Sequence, residues 1–177
     1  MIKKIFFHQQ NPDTLLSQSL SQTDGAKVII LHLEPAVKND FLFCKHFYQT
    51  ANNIRSTLKK ISLPTIAAVD GPLWPDGLEL ALMCDFFLIS AESTFHQGRS
   101  LTPGFGSTRL LSYKLNNREA RNLMMHTMPC DAPGLLDRGL ASHMVTSKQF
   151  TAELQTLAEA LGNCRADNAL LRRNYAP

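Results

Sequence analysis

The stretch PTIAAVDGPLWPDGLELALMCDFFLISAESTF, residues 64–95, carries the strongest structural signal in the 177-residue chain. Its first apolar run, TIAAV (65–69), predicts a strand buried on both faces. A turn with two prolines follows, and the pattern from Gly77 onward predicts a short helix over 77–84. FFLISA (86–91) predicts the next buried strand. Strand, helix and strand in direct succession indicate a parallel α/β unit.

The same alternation extends to both sides of this stretch. Residues 40–60 carry apolar residues at spacings of three and four, which predicts an amphipathic helix that Asp40 can cap. Asp131, with Pro133 just inside and Gly139 at the end, bounds another helix. The remaining predicted elements are a strand at VIILHL (28–33), a helix over 118–126 capped by Asn117, a strand at ASHMV (141–145) and a last helix with Leu154, Leu157, Ala158 and Leu161 on its apolar face.

Composition is that of an ordinary globular protein, because 44% of the residues are hydrophobic and 19% are charged. We expect a single domain over 1–161, followed by a polar C-terminal tail over 162–177. No apolar run approaches the roughly 20 residues of a membrane span, and the basic start is followed by too short an apolar run for a signal peptide. The net charge of +3 is too small to indicate nucleic-acid binding, although the arginines of the second half can attract a phosphate-bearing ligand.

The four cysteines are widely spaced and form no Cys-x-x-Cys pair. This spacing argues against a disulfide framework and against a zinc site. We therefore expect reduced thiols in a cytoplasmic protein without a structural metal, and the short apolar runs predict no membrane binding. The four are Cys44, Cys84, Cys130 and Cys164.

Three segments resemble the enoyl-CoA hydratase/isomerase family, the crotonase superfamily. The first is the stretch 64–95, with its Ala-Ala-Val-x-Gly strand end and its Glu-Leu-Ala-Leu-x-Cys-Asp helix. The second, TPGFGSTRLL (102–111), is similar to the family's Pro-Gly-x-Gly-Gly-Thr-x-Arg-Leu loop. The third, MPCDAPGLLDRGLASHMV (128–145), is similar to a later helix and strand. The resemblance covers about residues 27–161.

The resemblance implies an α/β fold, a crotonase-like (ClpP/crotonase) spiral of ββα units. The chain would be truncated at both ends, without the complete N-terminal strand pair and without the C-terminal helices that close the pocket in relatives. The implied substrate is an acyl-CoA or acyl-carrier-protein thioester, so coenzyme A enters as part of the substrate and no separate cofactor is expected. A homo-oligomer, a trimer in the family, or a partner subunit would complete the assembly.

The resemblance also implies an oxyanion hole, two backbone N–H groups that hold the thioester oxygen and stabilise enolate charge. Where the family has three glycines, this chain has Pro-Asp-Gly at 75–77, so the amide of Asp76 would be one donor, beside Gly77. The carboxylate of Asp76 would repel an enolate or, alternatively, cap the helix by accepting an N–H of the next turn. The second donor would come from the loop EPAVKNDF (34–41), from Ala36 or a neighbour.

The acid–base residues depart from the family pattern as well. Glu79 matches the first catalytic glutamate, but Arg99 stands where the second is expected. Hydration is most easily run with two carboxylates, and a guanidinium does not exchange protons near neutral pH. The pattern therefore favours chemistry with one base, such as double-bond migration or decarboxylation. Arg99 would bind a substrate carboxylate, form an ion pair with Glu79 or lie at the surface.

Two aromatic residues complete the set of candidates. Trp74 would wall a pocket or pack in the core, and His96 would take part in catalysis or be an ordinary polar side chain. Two functions stay open at this point. The chain is either an isomerase- or lyase-type enzyme with Glu79 as base, or a catalytically degenerate homologue that serves as a binding or interaction subunit. Glu79 does not decide between them, because a glutamate in the first turn also stabilises a helix electrostatically.

Overall fold

The computed structural model describes residues 1–8, 22, 24–34, 45–96, 107–125 and 129–164. Their strands are β1 (Ile2–His8), β2 (Val28–Glu34), β3 (Thr65–Val69), β4 (Phe86–Ser90), β5 (Thr94–Phe95), β6 (Cys130–Asp131) and β7 (His143–Val145). Their helices are α1 (Lys45–Lys60), α2 (Pro75–Met83), α3 (Ser107–Lys114), α4 (Asn117–Met125), α5 (Ala132–Asp137) and α6 (Ser147–Asn163). No helix within these ranges is both long and apolar enough to cross a membrane.

Five strands form a parallel sheet in the order β1-β2-β3-β4-β7. Parallel neighbours need crossover connections, and helix α1 lies between β2 and β3 while α2 lies between β3 and β4. The short strands β5 and β6 form a separate antiparallel pair. The predicted α/β class with a parallel sheet is therefore confirmed.

The central strands are buried on both faces, as their apolar runs predict. Successive side chains of a strand point to opposite faces. Ile29 and Leu31 of β2 belong to the larger core cluster, whereas Val28 and Ile30 belong to a second cluster on the other face. Phe150, Leu154 and Ala158 of α6 complete that second cluster, so α6 covers one face of the sheet.

The end predicted for helix α1 is confirmed, and the cap of helix α4 lies one residue earlier than predicted. The start predicted at Asp40 for helix α1 lies outside the described residues, and the described helix ends at Lys60 as expected. Helix α4 is capped by Asn116 rather than Asn117, because Asn116 Oδ1 accepts the N–H of Glu119 at 2.9 Å. The Glu119 carboxylate in turn accepts from the side-chain Nδ2 of Asn116 at 2.8 Å, which holds the Asn116 side chain in its capping position.

Helix α5 confirms the cap at Asp131, whose side chain accepts the N–H of Gly134 at 2.9 Å. Gly139 follows the helix at φ +67°, a conformation that favours glycine. The next strand begins two residues later than predicted. The N–H groups of Leu140 and Ala141 both bond to the carbonyl of Leu135, so these residues close the helix instead of joining β7.

Both ends of the described chain differ from expectation. Strand β1 was not predicted, yet it pairs with β2 along all seven of its residues. At the other end α6 continues to Asn163, so the first two residues of the predicted tail belong to this helix. Residues 165–177 lie outside the described ranges, and the division into domain and tail stays a prediction.

Asp85 ties the start of β4 to the start of β3. Its Oδ2 accepts the backbone N–H of Thr65 at 2.8 Å and the Thr65 hydroxyl at 2.9 Å, and Thr65 is 1% exposed. We expect Asp85→Ala to lower the free energy of unfolding by about 2 kcal/mol, because it leaves buried donors without their acceptor. Urea denaturation measures the loss. Asp85→Asn keeps an acceptor oxygen and should lose less, and equal losses for the two variants would contradict this explanation.

Candidate active site at the start of helix α2

Helix α2 begins at Pro75, two residues before the predicted start at Gly77. Trp74 holds the N-cap position with extended backbone angles, and its side chain makes no capping hydrogen bond. Proline suits the first helical position, because the N–H it lacks would have no partner there. Asp76 is the second residue of the helix, so its expected place at the N-cap is wrong, while the contacts of its carboxylate lie outside the described residues.

The first turn of α2 carries the amides to which the resemblance gives the role of an oxyanion hole. The first intrahelical bond runs from the N–H of Leu78 to the carbonyl of Trp74 at 2.9 Å. The N–H groups of Asp76 and Gly77 precede this bond, so the helix offers them no acceptor four residues earlier. Aligned peptide dipoles give this helix end roughly half a positive charge. An anionic oxygen is thus favoured at this point of the fold.

Glu79 lies in the second turn of α2 and is 0% exposed. Its neighbours Leu78, Leu80 and Ala81 are also buried, so the helix is embedded in the core. The interaction of a carboxylate with the helix dipole falls off beyond the first turn. Electrostatic stabilisation of the helix therefore does not explain why a glutamate stands at position 79. Burying a carboxylate costs free energy unless polar groups stabilise it. The position of Glu79 indicates either a functional role or a buried ion pair.

The turn before α2 is held by the chain segment that follows β4. The N–H of Leu73 donates to the carbonyl of Thr94 at 2.8 Å, and the N–H of His96 donates to the carbonyl of Leu73 at 2.8 Å. These two bonds form an isolated parallel bridge between Leu73 and Phe95. The start of α2 is therefore fixed to β5 rather than set by its own cap.

Trp74 and His96 are brought together by this bridge. Their ring centroids lie 5.2 Å apart at an interplanar angle of 31°. The Nε2 atom of His96 lies 2.7 Å from the Thr94 hydroxyl oxygen, which orients the imidazole. Both side chains are partly exposed. The fold therefore brings Trp74 and His96 together beside the start of α2, and their functional roles stay predictions.

Helix α6 is tied to the same turn by Ser147. Its hydroxyl oxygen lies 2.8 Å from Asp70 Oδ1 and 2.8 Å from Glu92 Oε2, and its backbone N–H donates to Glu92 Oε2 at 3.0 Å. The hydrogen bond from the Ser147 side chain lowers the pKa of Glu92. Asp70 directly follows β3, so this contact fixes the first residue of the turn.

Several predicted site residues lie outside the described residues. Arg99 and Ala36 are among them, and so is the side chain of Asp76, although its backbone is described. The relation of Arg99 to Glu79 and the second oxyanion donor therefore stay predictions. Sequence reasoning missed two residues near this turn, namely Ser93, which contacts it, and Ser90, which contacts Ser93. The available signal was two serines three residues apart, one of them the last residue of the apolar strand β4.

Comparison with known proteins gives matches over most of the chain. A family model described as "Enoyl-CoA hydratase/isomerase" matches residues 33–175. The chain is 31% identical over 120 residues to the enoyl-CoA isomerase/hydratase of Mycosarcoma maydis, with 65% of this chain and 43% of that protein covered. It is 31% identical over 121 residues to a short-chain-enoyl-CoA hydratase of Clostridium acetobutylicum, with 67% and 45% covered. The chain thus spans somewhat less than half the length of these relatives.

The fold has close structural counterparts. A crystal structure titled an enoyl-CoA hydratase from Mycobacterium avium subsp. paratuberculosis matches with a TM-score of 0.83 at 16% identity, covering 98% of this chain and 78% of that one. At this identity the likeness shows the fold alone. The predicted crotonase-like fold is confirmed.

Proposed function

Because the chain belongs to the enoyl-CoA hydratase/isomerase family, we propose that it acts on an acyl-CoA or acyl-carrier-protein thioester by stabilising an enolate. The observation that carries the proposal is the fully buried Glu79 on the helix whose first-turn amides attract negative charge. A base that removes a proton next to the thioester carbonyl shifts negative charge to its oxygen. Preorganised amides stabilise that charge without reorganisation at the moment of reaction.

Each group of the site has a distinct part in this proposal. The N–H of Asp76 or Gly77 donates to the thioester oxygen, and Ala36 or a neighbour supplies the facing donor. Glu79 removes the proton as general base. Trp74 and His96, whose rings lie 5.2 Å apart, line the acyl side of the site. Trimer formation, a cytoplasmic location and the lack of a separate cofactor stay predictions.

We further propose an isomerase- or decarboxylase-type reaction rather than hydration by two carboxylates. Arg99 stands where the second carboxylate is expected, and arginine stays protonated at neutral pH. A single base can remove a proton at one carbon and return it at another, which moves a double bond. Arginine also binds carboxylates in bidentate geometry, which suits a substrate with a second acid group.

Ligand-induced stabilisation tests the substrate class. At a concentration 100 times the dissociation constant, a bound acyl-CoA should stabilise the protein by about 2.7 kcal/mol. We expect short acyl-CoAs to raise the melting temperature more than coenzyme A alone or the free acids do, measured by calorimetry. A melting temperature that no thioester raises would exclude the proposed substrate class.

The second candidate function is that of a catalytically degenerate family member. It is favoured by the same observation, an arginine at the position of the second catalytic carboxylate. Such a protein would bind the thioester or a protein partner without turnover. A raised melting temperature with acyl-CoAs, together with no conversion of any of them detected by mass spectrometry, would support this candidate over the enzyme.

A further inference from the structure

Two hydroxyl groups are buried beneath the turn that precedes α2. Ser90 and Ser93 are both 0% exposed, and their hydroxyl oxygens lie 2.7 Å apart. The backbone N–H of Gly71 donates to Ser93 Oγ at 2.8 Å. The Ser93 hydroxyl lies 3.4 Å from the carbonyl oxygen of Val69, the last residue of β3. Ser93 therefore contacts the turn on both sides of Asp70.

One arrangement of hydrogens satisfies every group in this cluster. Ser90 donates to Ser93, and Ser93 accepts that hydrogen together with the N–H of Gly71. Ser93 then donates its own hydrogen to the Val69 carbonyl. A hydroxyl has one hydrogen and two lone pairs, so Ser93 uses its full hydrogen-bonding capacity within this cluster. Ser90, in contrast, makes its cluster contact with Ser93 and is not bonded to the turn.

The backbone of Gly71 needs such support. Its φ is +136°, a region that residues with a side chain rarely adopt. Glycine adopts many other conformations at similar cost, so the conformation observed here must be fixed by contacts from outside the turn. The hydrogen bond from Gly71 to Ser93 is one such contact, and it comes from the segment that also holds Leu73.

We infer that Ser93 is a positioning residue, whose hydroxyl fixes Gly71 and through it the direction in which the first-turn amides of α2 are presented. The chain between them is short, since Gly71 lies five residues before Asp76. The backbone of Leu73 is hydrogen-bonded to Thr94 and His96, and the carbonyl of Trp74 accepts the first helical hydrogen bond. Once Gly71 is fixed as well, the backbone between Gly71 and Asp76 has little conformational freedom. This inference rests on the proposed function where it concerns catalysis, but its structural part is independent.

Ser93→Ala tests the inference, with Ser90→Ala as the matched control. Both variants remove one buried hydroxyl, and only the first removes the acceptor of the Gly71 N–H. We expect Ser93→Ala to speed hydrogen exchange of the Gly71 amide by about tenfold relative to Ser90→Ala, measured by NMR. For the acyl-CoA that the wild type turns over, we expect kcat to fall by about tenfold with KM nearly unchanged in Ser93→Ala.

Ser93→Cys serves as a second variant in case Ser93→Ala does not fold. A thiol is a weak acceptor, so exchange of Gly71 should lie between the rates of wild type and alanine variant. Equal Gly71 exchange in the serine variants and wild type would overturn the inference. Equal losses of kcat in Ser93→Ala and Ser90→Ala would overturn it too, because the hydroxyl would then act only through general stability. A wild type that binds no thioester would end the proposed function, while the exchange result would still decide the role of Ser93.

Discussion

Replacing Glu79 by glutamine is expected to lower turnover of an acyl-CoA by about 100- to 10,000-fold, the range typical for loss of a general base. Glutamine has nearly the same shape but cannot remove a proton. Affinity for the thioester should persist, because the amides of Asp76 and Gly77 are unchanged. Single-turnover kinetics measure the rate of the chemical step, and titration calorimetry measures the affinity for the thioester. Turnover within about twofold of wild type would exclude Glu79 as the base.

The same variant separates a catalytic from a structural carboxylate. If Glu79 is a catalytic base, its burial lowers the stability of the fold, and the neutral glutamine should leave the free energy of unfolding unchanged or raise it. If Glu79 is instead half of a buried ion pair, glutamine would strand the partner charge and cost about 3–5 kcal/mol. Glu153→Gln is a suitable control, because Glu153 is an exposed glutamate on α6 and should change neither turnover nor stability.

The fold was largely predictable because its central strands are apolar runs with clear ends. TIAAV was placed at residues 65–69, where β3 is observed, since Pro64 precedes it and Gly71 soon follows. The sequence does not predict strands β5 and β6, because each has only two residues and the two strands lie far apart in the chain. The sequence does not predict strand β1 for a related reason. Its apolar run is short, and the strand is recognisable only from its pairing with β2.

The helix of the candidate site is predictable from a local motif, whereas contacts between residues distant in the sequence are not. The sequence pattern predicts the helix that carries Glu79, but it predicts a start at Gly77, two residues late, because Pro75 also fits the preceding turn. That shift matters, since it moves Glu79 out of the first turn and removes the electrostatic explanation for its presence. The bond between Gly71 and Ser93 joins residues 22 positions apart, and no local pattern predicts it.

The largest expected loss of stability follows from truncating the core residue beneath this turn. Phe95→Ala should lower the free energy of unfolding by about 3–5 kcal/mol, the usual cost of removing a buried phenyl ring. Phe95 is 2% exposed and is among the largest buried side chains described. Typical domains are stable by about 5–15 kcal/mol, so the variant would retain only part of its stability. Urea denaturation followed by circular dichroism measures the change.

Phe95 also supports the start of helix α2, so we expect Phe95→Ala to affect the candidate site as well as the stability of the core. Its backbone pairs with Cys130 in β6 and forms the bridge with Leu73, so a cavity here loosens the support of α2. Phe86→Ala is the matched control, because Phe86 starts the neighbouring strand β4 and is only partly buried. We expect it to cost less stability and to leave thioester affinity intact, whereas Phe95→Ala should weaken both. If the two variants lose equal stability and neither loses affinity, the start of α2 does not depend on β5.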